Sequence, residues 1–472
     1  MKYKLSFYTI FSDPVDLLKN RVAYNTRTGN TAIVSEACYN FLQNGLEEYM
    51  PPSIREKLIG KGILTELNEN EIETIIRENN TDIKSKGPDK YLYEVIQPTA
   101  MCQLGCYYCG QQHTKTNLKD DLVDKIVERI ITKFRRGRYK GILIGWFGGE
   151  PLLGLPQMRS INKKLRESLD GEDVDIRGKI VTNGLSLKEN IFLELVNDFK
   201  INNFEVTLDG TEEFHDQHRY TKSKKKSFSL IYRNLQQIMN REDFLSLKCS
   251  ISIRCNVDEK NIDGVVPLIN KLADDGLHQK IAYLYFVNIY SWGGNDANTI
   301  SLTKEQIAKN QLEWRVLQIK RGYPVSINLP KRKKQICIAV GGDSEMYDAY
   351  GNIFNCTEVS YSSVYEEGMY KLGSLKENHL GEFQNKPFNN WNKEIQDGTQ
   401  APCHFCRLLP VCGGTCPKSW KEGNPACPPF KYNIKKDLEL LYLFNQTPKD
   451  KLEGTLDSFV SSLDVKDFIR LT

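Results

Sequence analysis

Residues 102–109 read CQLGCYYC and place Cys102, Cys106 and Cys109 on the spacing C-x3-C-x2-C. Three soft thiolates on one short loop suit a metal. No fourth cysteine or histidine follows at zinc-ribbon spacing, His113 being the nearest candidate. Structural zinc takes a closed set of four ligands, usually from two CxxC-like pairs. Three thiolates suit a cubane iron–sulfur cluster with one iron left open. A zinc site remains the alternative on spacing alone.

Working outward, the loop follows a run that reads as a strand, YLYEVIQ (91–97), and five more strand-like runs follow: GILIGWF (141–147), KIVTNG (179–184), FEVTLDG (204–210), SISIRCNV (250–257) and IAYLYFVNI (281–289). Between the first two, LVDKIVERIITKF (122–134) carries apolar residues at helical spacing. Alternation of this kind predicts parallel βα units, hence a partial or full (β/α) barrel with its chemistry at the strand C-terminal ends. The polar and glycine-rich segments do follow strands: the cysteine triplet, Gly148-Gly149-Glu150-Pro151, Thr182-Asn183 and Asp209-Gly210.

The chain of 472 residues is about three times the usual domain of roughly 150, so two to four domains are expected. A net charge of +4 and a mean hydropathy of −0.47 are ordinary for a globular protein and do not point to duplex DNA. Thirteen cysteines, an odd count, stand without a signal peptide in the opening MKYKLSFYTIFSDP, which argues against a disulfide framework. No apolar run reaches the ~18 residues of a membrane span, so a cytoplasmic protein is expected, with neither membrane nor nucleic acid as partner. Cys38, Cys249 and Cys255 are read as small buried hydrophobes. The run Lys222–Lys226 reads as a solvated loop.

The triplet, with Tyr108 in the aromatic position, resembles the signature of the radical S-adenosylmethionine (SAM) superfamily. That resemblance implies a [4Fe–4S] cluster on Cys102, Cys106 and Cys109 whose open iron chelates SAM, with one-electron cleavage to methionine and a 5′-deoxyadenosyl radical that abstracts hydrogen from an unactivated C–H bond. Gly148, Gly149 and Glu150 match the family's GGEP motif, which presents acceptors to the methionine ammonium. TLDG (207–210) with His215-Asp216-x2-Arg219 resembles the family's SLDG…HDxxR stretch, which would give the SAM carboxylate to Thr207 and Arg219. His215 and Asp216 themselves read better as a loop-ordering pair. Arg254 and Asn256, in SIRCN (252–256), are candidate SAM or substrate contacts.

Seven further cysteines crowd the last third, where the composition leaves little room for a conventional core. Their spacings together resemble the SPASM domain of radical SAM enzymes that act on peptides and proteins, although a zinc ribbon would account for the central pairs alone. The resemblance assigns Cys403, Cys406, Cys412 and Cys427 to one auxiliary [4Fe–4S] cluster and Cys337, Cys356 and Cys416 to the other, three clusters in all. The eighth cysteine of some members has no counterpart here, which leaves one iron of the second cluster open. Sulfatase maturases place an aspartate, their proposed base, directly after the second SPASM cysteine; Thr357 follows Cys356 here, which counts against formylglycine formation.

Residues 1–80 read as strands 3–10, 21–25 and 31–34 joined by a turn at Thr28-Gly29-Asn30, then a helix capped by Ser35 and a second that stops near Gly62. This winged-helix outline resembles the peptide-recognition element of ribosomal peptide maturases; a nucleic-acid module or a plain cap are the alternatives. A polar stretch, 79–90, reads as the linker. The expected architecture is α/β: a precursor-peptide recognition element (1–85), a partial (β/α)6 radical SAM core (90–300), a SPASM domain with two auxiliary clusters (330–435) and a helical tail (436–472). The expected activity is oxidative maturation of a ribosomal precursor peptide held by its leader, forming an intramolecular thioether or carbon–carbon crosslink, with a flavodoxin- or ferredoxin-type reductant. Formylglycine formation and epimerisation are alternatives, and an iron–sulfur electron carrier or structural zinc protein is the non-enzymatic rival.

Overall fold

A computed structural model describes residues 2–324, 327–365, 368, 370–377, 381, 383, 385–468 and 470–471. The chain opens with strands β1 (Tyr3–Leu5), β2 (Thr9–Phe11), β3 (Arg21–Asn25) and β4 (Thr31–Val34). β2, β3 and β4 form an antiparallel sheet in that order, while β1 pairs separately with β5 (Leu64–Glu66). Gly29, at φ +76°, makes the tight turn between β3 and β4, a left-handed conformation that glycine adopts freely. Ser35 caps the helix Glu36–Gln43 by accepting from the Cys38 N–H, and a second helix runs Pro52–Gly60.

Six parallel strands then follow in simple order: β6 (Tyr91–Ile96), β7 (Gly141–Trp146), β8 (Asp175–Thr182), β9 (Ile201–Thr207), β10 (Ser250–Val257) and β11 (Ile281–Asn288). Each pairs only with its sequence neighbours within this series, the arrangement of a partial (β/α)6 barrel. The helix Asp120–Gly137 buries Leu122, Val123, Ile126, Ile130 and Phe134, one face at helical spacing, against the outside of the sheet. In β10 the alternation sends Ile251, Ile253 and Cys255 into the same core, so Cys255 serves packing. Cys38 is buried among the N-terminal hydrophobes and Cys249 packs at the edge of the barrel core.

Three expectations change. The stretch 79–90 is not a free linker: the helix Glu71–Lys84 runs through its first half, buries Asn79, and docks on the helix Trp391–Gln396 through a 2.8 Å bond between Asn392 and Asn80. The cysteine-rich third does have a core, built from Ile338, Val340, Met346, Trp391, Ile395 and Leu409 together with Ile75 and Ile76 of that helix. Nor is it a separate appendage. Strand β12 (Met346–Tyr347) pairs parallel with β6, and β13 (Asn352–Phe354) and β14 (Lys371–Ser374) continue the same sheet antiparallel to nine strands. Lys133 and Arg129 on the outer helix clamp Glu345, just before β12, at 2.9 and 2.7 Å. The C-terminal helices Phe430–Gln446 and Lys449–Ser461 bury Leu440 and Phe459 against Leu312 and Val316 of the helix Lys304–Lys320.

Candidate active site

The cysteine triplet, Gly148-Gly149, Thr182-Asn183 and Asp209-Gly210 lie at the carboxyl ends of the parallel strands. The cysteine loop leaves β6 and is closed at its base by the Ala100 N–H donating to the Thr116 carbonyl and the Thr114 N–H donating to the Ala100 carbonyl. The Gly148-Gly149 segment leaves β7 and lies directly on this loop, the Glu150 N–H donating to the Met101 carbonyl at 2.8 Å. A Cβ on Gly149 would stand 2.4 Å from that carbonyl oxygen, so only glycine lets the two loops touch. Gly149→Ala is therefore expected to destabilise the protein by about 1–3 kcal/mol, the usual cost of overpacking, read as a lower Tm in a thermal melt.

The Glu150 side chain is engaged within the protein. Its buried carboxylate accepts from the Thr182 hydroxyl (2.7 Å), the Asn183 N–H (2.7 Å) and the Leu152 N–H (3.0 Å). It braces the ends of β7 and β8, and Gly148 is left lining the cavity. Burial raises the Glu150 pKa, and the three hydrogen bonds oppose that rise.

A second network ties the cysteine loop to β9 and β10. The Tyr108 hydroxyl donates to Asp209 (2.5 Å) and accepts from Arg219 Nη1 (2.5 Å) and Asn256 Nδ2 (3.0 Å). Asn256 N–H donates to Asp209 at 2.8 Å, and Arg254 Nε to Asn256 Oδ1 at 2.8 Å. Arg219 is thus engaged with Tyr108 and, at 3.9 Å, with Asp209, yet its buried Nε has no partner. An orphaned buried donor is rare in a complete structure, and Arg219 is not among the residues that line the cavity beside it. Thr207, Arg254, Asn256, Tyr108, Cys109 and Gly148 all line one cavity. His215 accepts from the Asp209 N–H and contacts the Ser227 hydroxyl, while Asp216 accepts from the Ser227 and Phe228 N–H groups; both order loops.

The cysteines fall into three neighbourhoods. Burial, with Cys109 and Cys102 close by, pushes the Cys106 thiol up to about 12; burial and the Glu150 charge push Cys102 to about 11. Burial and then Cys412, Cys406 and Cys427 raise Cys403 to about 12, and Cys412 responds to burial, Cys406 and Cys427 in the same way. Cys356 is raised by burial, Glu358, Cys416 and Cys337, and Cys337 by burial, Cys416 and Glu358. Such thiols resist ionising alone and do so readily on a cationic cluster. Among the described residues no three His, Cys, Asp or Glu side chains converge closely enough to clasp a single ion. Sets of thiolates with no histidine or carboxylate partner are the usual donors of iron–sulfur clusters.

Sequence reasoning missed Glu358. The aspartate expected in sulfatase maturases is replaced by Thr357, but the chain turns so that both Thr357 and Glu358 face the cavity, opposite Cys109 and Gly148. The Glu358 carboxyl, beside the Tyr290 hydroxyl, is raised by burial, with Arg254 and Lys418 pulling it down. Its charge helps to raise the thiols of Cys109, Cys337 and Cys356. Asp209, the hub of the second network, also escaped selection although it stood in the TLDG motif.

Comparison with known proteins agrees with this geometry. The family model of the radical SAM superfamily matches residues 96–242. The cysteine-type anaerobic sulfatase-maturating enzyme of Clostridium novyi is 24% identical over 392 residues, covering 75% of this chain and 96% of that protein. The serine-type enzyme of Bacteroides thetaiotaomicron is 24% identical over 368 residues, covering 70% of this chain and 83% of that protein. The solved structure of native anSMEcpe with bound AdoMet shares the fold with a TM-score of 0.56 at 18% identity, over 78% of this chain and 99% of that chain. A strand-end cysteine triplet, a glycine loop seated on it and a matching family model give this chain a radical SAM domain over residues 96–242, in a fold similar to that of an anaerobic sulfatase maturase.

Proposed function

We propose that this enzyme matures a ribosomally made precursor peptide, reading the leader with residues 1–85 and oxidising a core residue in the cavity under the cysteine loop. The observation that carries the reading is the edge of the N-terminal sheet. Among the described residues β4 is paired only with β3, and it borders a groove lined by Thr31, Ile33, Ile54, Leu58, Leu441 and Tyr442. An extended peptide adds to such an edge through backbone hydrogen bonds, with side-chain pockets giving selectivity. No helix of the described residues is long and apolar enough to cross a membrane, in keeping with a cytoplasmic enzyme served by a flavodoxin- or ferredoxin-type reductant.

In this reading residues 90–300 are the radical SAM core, 330–435 a SPASM domain with two auxiliary clusters, and 436–472 a helical tail. Cys102, Cys106 and Cys109 would hold the SAM cluster, with Gly148, Gly149, Thr207, Arg254 and Asn256 facing SAM and Arg219 behind Tyr108. Cys403, Cys406, Cys412 and Cys427 would hold one auxiliary cluster, and Cys337, Cys356 and Cys416 the other. A crosslink removes two hydrogens from the peptide, one as an atom and one as a proton with an electron left over. Glu358, at the cavity, would take the proton, and the clusters that the auxiliary cysteines would hold could supply an acceptor for the electron.

The test is anaerobic incubation of the reconstituted enzyme with dithionite, SAM and the precursor encoded beside its gene. Loss of two hydrogens from the peptide, without reactivity toward a hydrazide, supports the crosslink. An unchanged mass points to epimerisation, and absence of 5′-deoxyadenosine returns the protein to the electron-carrier or zinc reading. A hydrazide-reactive aldehyde supports formylglycine formation, a second reading favoured by Glu358 and by the similarity to both sulfatase maturases. For the leader groove, Ile33 is half exposed on β4. Ile33→Glu removes an apolar contact worth ~1.5–3 kcal/mol and is expected to weaken leader binding about tenfold or more, measured by fluorescence anisotropy, with SAM cleavage unchanged.

A further inference from the structure

One side chain at the cysteine loop has no role in the chemistry so far. His113 follows Cys109 by four residues, and the pairing of Ala100 with Thr114 and Thr116 turns it back onto the loop it has just left. Its Nε2 lies 3.6 Å from Cys109 Sγ, within hydrogen-bond range for sulfur. Its Nδ1 is buried and has no partner. On the far side the ring meets Gly149, where a Cβ would stand 3.1 Å from Nδ1. The imidazole is therefore a wedge between the Cys109 sulfur and the glycine loop.

The proton belongs on one nitrogen or the other. A buried N–H without an acceptor is rarer than a buried lone pair without a donor. A thiolate bound to a cluster can accept a hydrogen bond but has no hydrogen to donate, so the 3.6 Å contact is a hydrogen bond only with the hydrogen on Nε2, aimed at sulfur. Hydrogen bonds to cluster sulfurs raise the reduction potential, because they stabilise the added negative charge of the reduced state.

We propose that His113 is a positioning residue that donates its Nε2–H to the Cys109 sulfur, fixing that ligand against the glycine loop and easing one-electron reduction of the SAM-binding cluster. The proposal rests on the triplet carrying that cluster, which the EPR signal of the unaltered, reconstituted holoenzyme and its change on adding SAM report separately. The test compares His113→Leu, which removes the donor, with His113→Gln, whose amide N–H reaches a similar position. The midpoint potential of the SAM-responsive signal is followed by EPR-monitored titration. For His113→Leu, reduction is expected to become about tenfold less favourable at a given potential, a negative shift of about 59 mV for one electron. His113→Gln restores most of it.

A Leu variant with an unshifted potential overturns the proposal. Should the Leu variant fail to assemble, the unaltered enzyme labelled with 15N-histidine decides by pulsed EPR. A weakly coupled histidine nitrogen on the reduced cluster, retained when SAM binds, supports the proposal. Absence of that coupling overturns it, as does a strong coupling that SAM displaces, which would make His113 an iron ligand instead.

Discussion

Cys106→Ala is expected to abolish 5′-deoxyadenosine formation, by more than ~10³-fold, while leaving the fold intact. SAM cleavage needs an electron delivered through the cluster, and an enzyme's rate advantage over the uncatalysed reaction vanishes when its cofactor is lost. Cys106 is the member of the triplet whose thiol senses both Cys102 and Cys109, so its removal opens the loop at its centre. Iron content should fall by one cluster, read by iron and sulfide assay, and the auxiliary EPR signals should persist. Cys255→Ala is the matching control: this thiol packs in the apolar barrel core and should cost stability without changing iron content. Equal iron loss in the two variants, or SAM cleavage that survives Cys106→Ala, would remove the triplet from its assigned role.

Glu358→Gln is expected to separate SAM cleavage from product formation. The carboxyl group lines the same cavity as Cys109 and Gly148. General-base assistance contributes typically ~10²–10⁴-fold, so modified peptide should fall by that factor while 5′-deoxyadenosine continues to accumulate. The ratio of the two products, by mass spectrometry, is the readout. Because burial raises the Glu358 pKa, the proton-accepting form gains as pH rises, and product formation in the unaltered enzyme should rise with pH through that value. The glutamine variant should lose this limb. Parallel loss of both products would instead mark Glu358 as a structural support.

Much of the barrel was legible because its signals are local. SISIRCNV was assigned to the same eight residues that form β10, and the five other strands agree to within a few residues at each end. A strand buried on one face alternates at period two, and a helix repeats at 3.6, so neither needs knowledge of its partners. The helix Glu71–Lys84 was hidden in a polar stretch because its apolar face is narrow and completed by residues more than 300 positions away, at Trp391–Gln396. The same separation hid the core of the cysteine-rich third. Strands β12 to β14 are two to four residues long, too short to show a period, and exist because β6 offers a free edge.

The candidate site divides along the same line. Cys102, Cys106 and Cys109, the glycine pair and the parallel strand order were determined by the sequence alone, since ligand spacing and strand-to-loop succession are properties of contiguous residues. What only the tertiary structure decided was orientation: that Glu150 turns inward to Thr182 and Asn183, that Arg219 meets Tyr108, that His113 folds back on Cys109 and that Glu358 reaches the cavity past Thr357. Each of these depends on where a side chain finds the hydrogen-bond partner that offsets its burial. Those partners come from other strands of the barrel, brought near by packing and by nothing in the neighbouring sequence.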